Sequence, residues 1–232
     1  YDHRGNQKKI NFSKESFPEV KHKIEHLVLD KKFPSKNTPW QNQAWQREFI
    51  FSGIEKDNEN DYIMFSDPDE IPNPKLLNDL NLTRKYGIFF QKMFTYKINL
   101  FNRHETPWEG TRICKKKHLK SIDWLRQKVL SKNLKYGFWR IDKERNIQII
   151  DNGGWHFNYL LDPKDISKKF KSLAETSWDK EEYYNLENII TKIKQKKDLF
   201  HRGHIFEQVA IDDTFPEYIQ KNQDKYSEWI LK

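Results

Sequence analysis

The sequence predicts an α/β protein with a mixed, mostly parallel sheet flanked by helices. Three observations point there. Strand-like and helical segments alternate through the first half of the 232 residues. An apolar run, DYIMFS at residues 61–66, stops at an acidic, proline-punctuated turn, as a central strand does at its carboxyl edge. Aromatic residues reach 15% of the chain, which excludes disorder over most of its length and supplies a sizeable core. No repeat or Gly/Ser linker divides the sequence, so residues 1–232 are read as one domain.

The elements follow in order. Residues 23–29 (KIEHLVL) read as a buried strand and residues 33–39 as a loop. Residues 40–55 carry Ala44, Trp45, Phe49, Ile50 and Ile54 near helical spacing. The strand at 61–66 precedes the acidic turn, and a short helix is expected at 74–82. Residues 87–100 (GIFFQKMFTYKINL) are strand-like, Ile113 continues another strand, and 118–130 read as a helix. Strands are expected at 136–140 and 147–150, with a Gly153-Gly154 break before 155–161. Helices are expected at 165–173 and 181–197. A last one is expected at 216–222, where Pro216 sits at a favourable first-turn position.

The net charge of +8 raises nucleic acid as a partner, but 33 of the 42 cationic residues are lysines spread along the chain. Arginine is the usual reader of bases and phosphates, so the charge reads as a solvated lysine coat and no nucleic-acid partner is expected. The Lys115, Lys116 and Lys117 run belongs to that coat. No apolar window is long enough to span a membrane. One cysteine, Cys114, excludes an internal disulfide framework and a cysteine-based zinc site. The amino terminus shows neither a signal-peptide core nor an initiator Met, and composition favours the cytoplasm.

The most informative segment is 61–74, DYIMFSDPDEIPNP. Asp67 and Asp69 lie two apart around Pro68, so on extended chain they project to the same side. Pro68 stiffens the turn. Two hard oxygen ligands at a strand's carboxyl end suit Mg²⁺ or Mn²⁺, and a bridging divalent ion lets a diphosphate sit beside two carboxylates. An EF-hand is excluded, because the turn lacks the sixth-position glycine and the ligands after it.

At Asp67-Pro68-Asp69-Glu70-Ile71-Pro72 the sequence resembles glycosyltransferase family 17, the β-1,4-mannosyl-glycoprotein N-acetylglucosaminyltransferases, whose turn reads Asp-Ala-Asp-Glu-Ile-Pro. The similarity continues in Lys21-His22-Lys23-Ile24, Leu29-Asp30 and Phe33-Pro34. Further on it includes Trp108-Glu109-Gly110-Thr111, the block from Gly154 to Leu160, Asp198-Leu199-Phe200-His201-Arg202-Gly203 and Pro216-Glu217-Tyr218-Ile219. The turn departs from the pattern at Pro68, and only the end of the family's opening strand–helix–strand unit is matched, by residues 1–12.

The resemblance implies a GT-A fold, a UDP-sugar donor such as UDP-GlcNAc, a divalent metal (Mn²⁺ or Mg²⁺), and an oligosaccharide or glycoprotein acceptor. It also implies a β-linked product formed by single displacement, and it brings in the secretory-pathway lumen as a second compartment. Asp69 is then the direct metal ligand, and Asp67 reaches the metal through water or holds the donor's ribose. His156 completes the metal shell or is a structural histidine. Glu70 contacts the acceptor or caps the short helix after it. Trp155 stacks on a sugar or belongs to the core, while Trp108, Gly110, Thr111 and Gly154 lie in donor- or acceptor-binding blocks. Asp151 and Glu109 are both candidates for the general base. His201 and Arg202 are candidates to close over the diphosphate. The alternative from another class is a noncatalytic carbohydrate-binding relative that lost its donor site.

Overall fold

The computed structural model describes residues 1–127 and 130–232. Its framework is an open seven-stranded sheet. The strands are β1 (Tyr62–Phe65), β2 (Glu70–Pro72), β3 (Tyr86–Thr95), β4 (Leu100–Phe101), β5 (Trp108–Lys115), β6 (Ile147–Asn158) and β7 (Glu207–Gln208). β3 is the spine. It pairs with β5 and β4 antiparallel and with β6 parallel; β1 pairs with β5, β2 with β6 and β7 with β4, all antiparallel.

The sheet is therefore antiparallel-dominated, and the expectation of a mostly parallel one is corrected. The reason lies in the connections. A parallel crossover needs a dozen or more residues. Four residues join β3 to β4 and six join β4 to β5, so these turn back on themselves. Only the long excursion between β3 and β6 returns a parallel neighbour.

β3 is buried on both faces, which explains its nearly unbroken apolar run. One side packs Ile88 and Tyr86 against Ile122 and Leu125. Further along, Phe94 stacks with Phe157 and Phe215. A third cluster gathers Tyr96, Tyr159, Ile166, Phe170, Ile189 and Leu199 beneath the carboxyl-terminal helices. β3 ends where Tyr96 takes a left-handed conformation, φ 67°.

The helices are α1 (Pro39–Phe49), α2 (Ile122–Arg126), α3 (Leu130–Asn133), α4 (Pro163–Ser172), α5 (Glu181–Tyr184), α6 (Leu186–Lys194) and α7 (Glu217–Lys221). α1 starts on a capping box, with Thr38 accepting from Gln41 N and the Gln41 side chain returning to Thr38 N; Pro39 follows at the first position. It passes into a 3₁₀ turn at Ile50–Gly53. The expected helix at 74–82 shrinks to a 3₁₀ turn, Pro74–Leu76. The helix expected over 118–130 is α2, and its continuation through 128 and 129 lies outside the described residues.

Three further expectations are corrected. Residues 23–29 lie outside the sheet: they leave the outer edge of β1 unpaired among the described residues and instead turn Leu27 and Leu29 to a cavity. Residues 136–140 form a turn rather than a strand. The Gly153-Gly154 pair does not break a strand: β6 runs straight through it. A Cβ on Gly153 would lie 2.8 Å from the Phe89 Cα, and one on Gly154 would lie 2.1 Å from the Ile71 carbonyl oxygen. The glycines let β6 pass between β3 and β2 at a register shift opposite Phe89 and Gln91.

Among the described residues, no helix is long and apolar enough to cross a membrane.

Candidate functional site

β1 delivers the chain to Ser66, and Asp67, Pro68 and Asp69 make the turn into β2. The turn is held from both sides. Glu70 N donates to the Asp67 carbonyl at 2.9 Å, and Phe157 N donates to the Asp69 carbonyl at 2.9 Å. β2 pairs Glu70 with His156, which brings that imidazole alongside Asp69: His156 Nε2 lies 3.4 Å from Asp69 Oδ1. Lys169 of α4 approaches the other oxygen at 3.9 Å. Burial alone pushes the Asp69 carboxyl up, but the His156 hydrogen bond and the charges of His156 and Lys169 outweigh it and hold it below its ordinary value.

Asp67 faces arginines instead. Arg126 Nε donates to Asp67 Oδ2 at 2.9 Å and its Nη2 is ion-paired with the same oxygen at 2.8 Å, while Arg47 Nη2 stands 3.6 Å from Oδ1. Glu70 is buried. It accepts from Trp108 Nε1 at 2.9 Å and from Asp67 N at 3.2 Å, with Arg126 Nη2 at 3.7 Å. It therefore ties the turn to β5 and neither caps the following 3₁₀ turn, which Asn73 caps, nor lines the cavity. Arg112 is buried beneath this group. Burial and the neighbouring Arg126 lower its guanidinium to about 10, against the opposing pull of Glu70, Glu109 and Asp67.

Asp67, Pro68 and Asp69 open onto a cavity of about 950 Å³. Arg47 projects into it from α1, Lys169 from α4, and His3 and Lys8 from the amino-terminal segment. That segment is strapped across both helices: Asn42 donates to the His3 carbonyl at 2.9 Å, and Arg4 donates to the Leu173 and Phe170 carbonyls at 3.2 and 3.3 Å. Two carboxylates thus sit within a ring of cations.

Comparison with protein-family models, curated proteins and solved structures yields no match.

The Asp69–His156 pair fits two positions of one divalent ion. Ligand atoms about 2.1 Å from an ion and about 90–110° apart stand roughly 3.0–3.4 Å from each other, and the pair is 3.4 Å apart. His156 Nδ1 is buried without a hydrogen-bond partner. Among the described residues, no three His, Cys, Asp or Glu side chains converge on such a point. Mg²⁺ and Mn²⁺ are commonly held by one or two protein ligands plus substrate oxygens and water.

The other candidates separate. Trp108 joins the site through Glu70, and its ring lies 4.9 Å from that of His156. Trp155 belongs to the core, its Nε1 donating to the Thr214 carbonyl at 2.9 Å within the Phe94 cluster. Glu109 does not reach the cavity: its two oxygens accept from Leu130 N at 2.6 Å and Ser131 N at 2.8 Å and open α3. Asp151 is exposed five residues before His156 on β6, roughly 15 Å along the strand.

Gly110 admits Gln91, whose Oε1 would be 1.8 Å from a Cβ there. Thr111 bonds to Ser66 Oγ at 2.6 Å and accepts from Gln91 Nε2 at 3.2 Å; both positions are structural. His201 and Arg202 lie away from the cavity. Arg202 is engaged by Asp198, at 3.1 Å from Nε and 2.8 Å from Nη2, and by Glu105; His201 Nε2 stands 3.7 Å from Glu182.

Sequence reasoning missed Arg47, Arg126 and Lys169. Arg126 and Arg47 each lie in the last turn of a helix, with no motif around them. Lys169 is one lysine among 33. Only the fold distinguishes them.

Proposed function

We propose that the chain is a metal-dependent inverting glycosyltransferase with a GT-A-like donor site, related to glycosyltransferase family 17. It moves a sugar, GlcNAc from UDP-GlcNAc, to a glycan hydroxyl with a β-linked product. One observation carries the reading: Asp69, paired with His156, faces a large cavity walled by Arg47, Lys8 and Lys169. A nucleotide diphosphate needs both features, cations for its oxygens and a carboxylate that keeps an ion beside them. Asp69 and His156 would hold the ion, which when bound supplies charge stabilisation for the departing diphosphate.

The chain's own residues do the rest. Arg47 and Lys169 orient phosphate oxygens from opposite walls. Arg126 and Glu70 hold Asp67 and the turn in place, so Asp69 needs no reorganisation as charge develops. Neither Glu109 nor Asp151 serves as base in this reading, since one is committed to a helix start and the other stands outside the cavity.

The test is UDP release from UDP-GlcNAc with Mn²⁺. Asp69→Asn is expected to abolish it, and full activity in that variant overturns the metal assignment. The position of both predicted bases outside the cavity, Glu109 at a helix start and Asp151 exposed on β6, favours a second reading, a carbohydrate-binding relative without transfer. Calorimetry showing glycan binding and no UDP binding with Mn²⁺ would establish it.

A further inference from the structure

Away from the cavity, the turn between α3 and β6 presents large apolar side chains outward. Phe138 is 84% exposed, Trp139 70%, Ile141 96% and Leu134 60%. Ile141, Phe138 and Trp139 are the three most exposed large hydrophobics among the described residues, and with Leu134 they lie within eight consecutive residues. Scattered exposed apolar side chains need no explanation; a concentrated patch does.

The turn is built, not frayed. At its base Asn133 Nδ2 donates to the Glu144 carbonyl at 2.7 Å, and Arg145 Nη2 donates to the carbonyls of Tyr136 and, at 2.7 Å, Gly137. Arg140 grips Asp142 through two 2.7 Å hydrogen bonds, and both Arg140 and Lys143 lie over the Tyr136 ring, at 5.2 and 4.9 Å. The Phe138 and Trp139 rings meet edge-on at 5.3 Å. This bracing fixes the turn while leaving its apolar tip without a partner among the described residues.

The charge around the tip decides among partners. Residues 130–145 hold Lys132, Lys135, Arg140, Lys143 and Arg145 against only Asp142 and Glu144. Leu134 and Arg145 also line a shallow groove with Arg84 and Ile149. An aromatic and aliphatic tip collared by lysines and arginines is the composition of a membrane-interface anchor: the apolar side chains enter the acyl boundary and the cations meet anionic headgroups. A sugar or nucleobase platform uses aromatic faces and gives no role to a fully exposed Ile141 or to Leu134.

We propose that residues 134–143 dock the protein peripherally on an anionic lipid surface, with Phe138, Trp139 and Ile141 inserted and Lys132, Lys135 and Lys143 over the headgroups. This stands independently of the transferase reading.

The experiment is co-sedimentation of the full chain with vesicles of phosphatidylcholine, with and without phosphatidylglycerol. Binding is expected only with the anionic lipid and should weaken with salt. Replacing Phe138, Trp139 and Ile141 together by Ser should weaken it at least about tenfold, with an unchanged urea midpoint because the three side chains are exposed. As a second measurement, brominated lipid should quench tryptophan emission, and Trp139→Phe should remove most of that quenching. Equal binding to neutral and anionic vesicles, undiminished binding by the triple variant, or no vesicle binding overturns the proposal. So does an effect of the triple variant confined to self-association or RNA retention.

Discussion

Gly154→Ala isolates the contact on which the site's alignment depends. Gly154 has φ +129°, outside the range an alanine adopts readily, and a Cβ there would lie 2.1 Å from the Ile71 carbonyl oxygen and 2.8 Å from Asn73 N. Those atoms are backbone and cannot rotate aside. Asn73 N is itself bonded to the Gly153 carbonyl at 2.9 Å. The backbone conformation costs roughly 1–2 kcal/mol and the overlap roughly 2–3 kcal/mol, so a total near 3–5 kcal/mol is expected. With an m-value of about 2–3 kcal/mol/M in urea, the midpoint falls by roughly 1–2 M.

Gly203→Ala is the control. It also has positive φ, +78°, but nothing lies within 4 Å of the added Cβ. It should lose only the conformational part, roughly 1–2 kcal/mol. Because Gly154 sits two register positions from the Glu70–His156 pair on the same ladder, the surviving fold of Gly154→Ala should, on the proposed function, also lose Mn²⁺-dependent UDP affinity, and Gly203→Ala should not. Equal urea midpoints for the two variants would refute the claim that β2 and β6 meet too closely for a side chain.

Three further outcomes are expected. Glu109→Gln should destabilise the protein by about 1 kcal/mol by weakening the start of α3, measured in urea, while leaving UDP binding intact; an unchanged midpoint with lost turnover would return Glu109 to catalysis. Asp198 is pushed up by burial, but bonds from the Arg202 side chain and backbone hold its carboxyl below the ordinary value, as His156 does for Asp69. Such groups stabilise the fold above their unfolded pKa, about 3.9, and lose that contribution as pH falls through the folded one. Urea midpoints should hold above pH ~5 and drop below it, less so in Asp198→Asn; an identical acid profile in that variant contradicts the assignment. Cys114 is buried and its thiol is pushed up to about 12 by that burial, so a thiol reagent at neutral pH should label it only after unfolding.

Most of the helices, β1 and the central strand are legible because each is written in local pattern: the apolar spacing of Ala44, Trp45, Phe49 and Ile50, the apolar run of β3, the acidic stop after β1. The direction of the sheet is not. It depends on loop lengths between strands whose ends were drawn too wide, residues 87–100 being two strands and a turn rather than one. Gly153-Gly154 misled for a similar reason, since glycine marks both a break and a close approach, and only the Ile71 carbonyl tells them apart. At the site, Asp67 and Asp69 stand out in the acidic turn and His156 only through the family resemblance; the pairing of β2 with β6 that brings His156 beside Asp69 is not written in either motif. The cations are not legible, because their positions follow from how α1, α2 and α4 pack.

The two aspartates of the turn have been given different environments, and this bears on what each can do. Asp67 receives a hydrogen bond and an ion pair from Arg126 and the field of Arg47, so its charge is spent within the protein. Asp69 has a buried histidine at 3.4 Å and an ammonium at 3.9 Å, the latter lining the cavity. An ammonium on a flexible stem is strongly hydrated and easily redirected, whereas a planar guanidinium hydrogen-bonded and ion-paired to one oxygen is not. In the proposed transferase reading, Asp69 is thus the carboxylate that would exchange its partners for an ion, and Lys169 the cation that would turn from it towards a phosphate. Asp67, Glu70, Arg126 and Trp108 supply the rigidity that makes such an exchange local, since the turn they hold is also bonded through backbone to β6 on its far side.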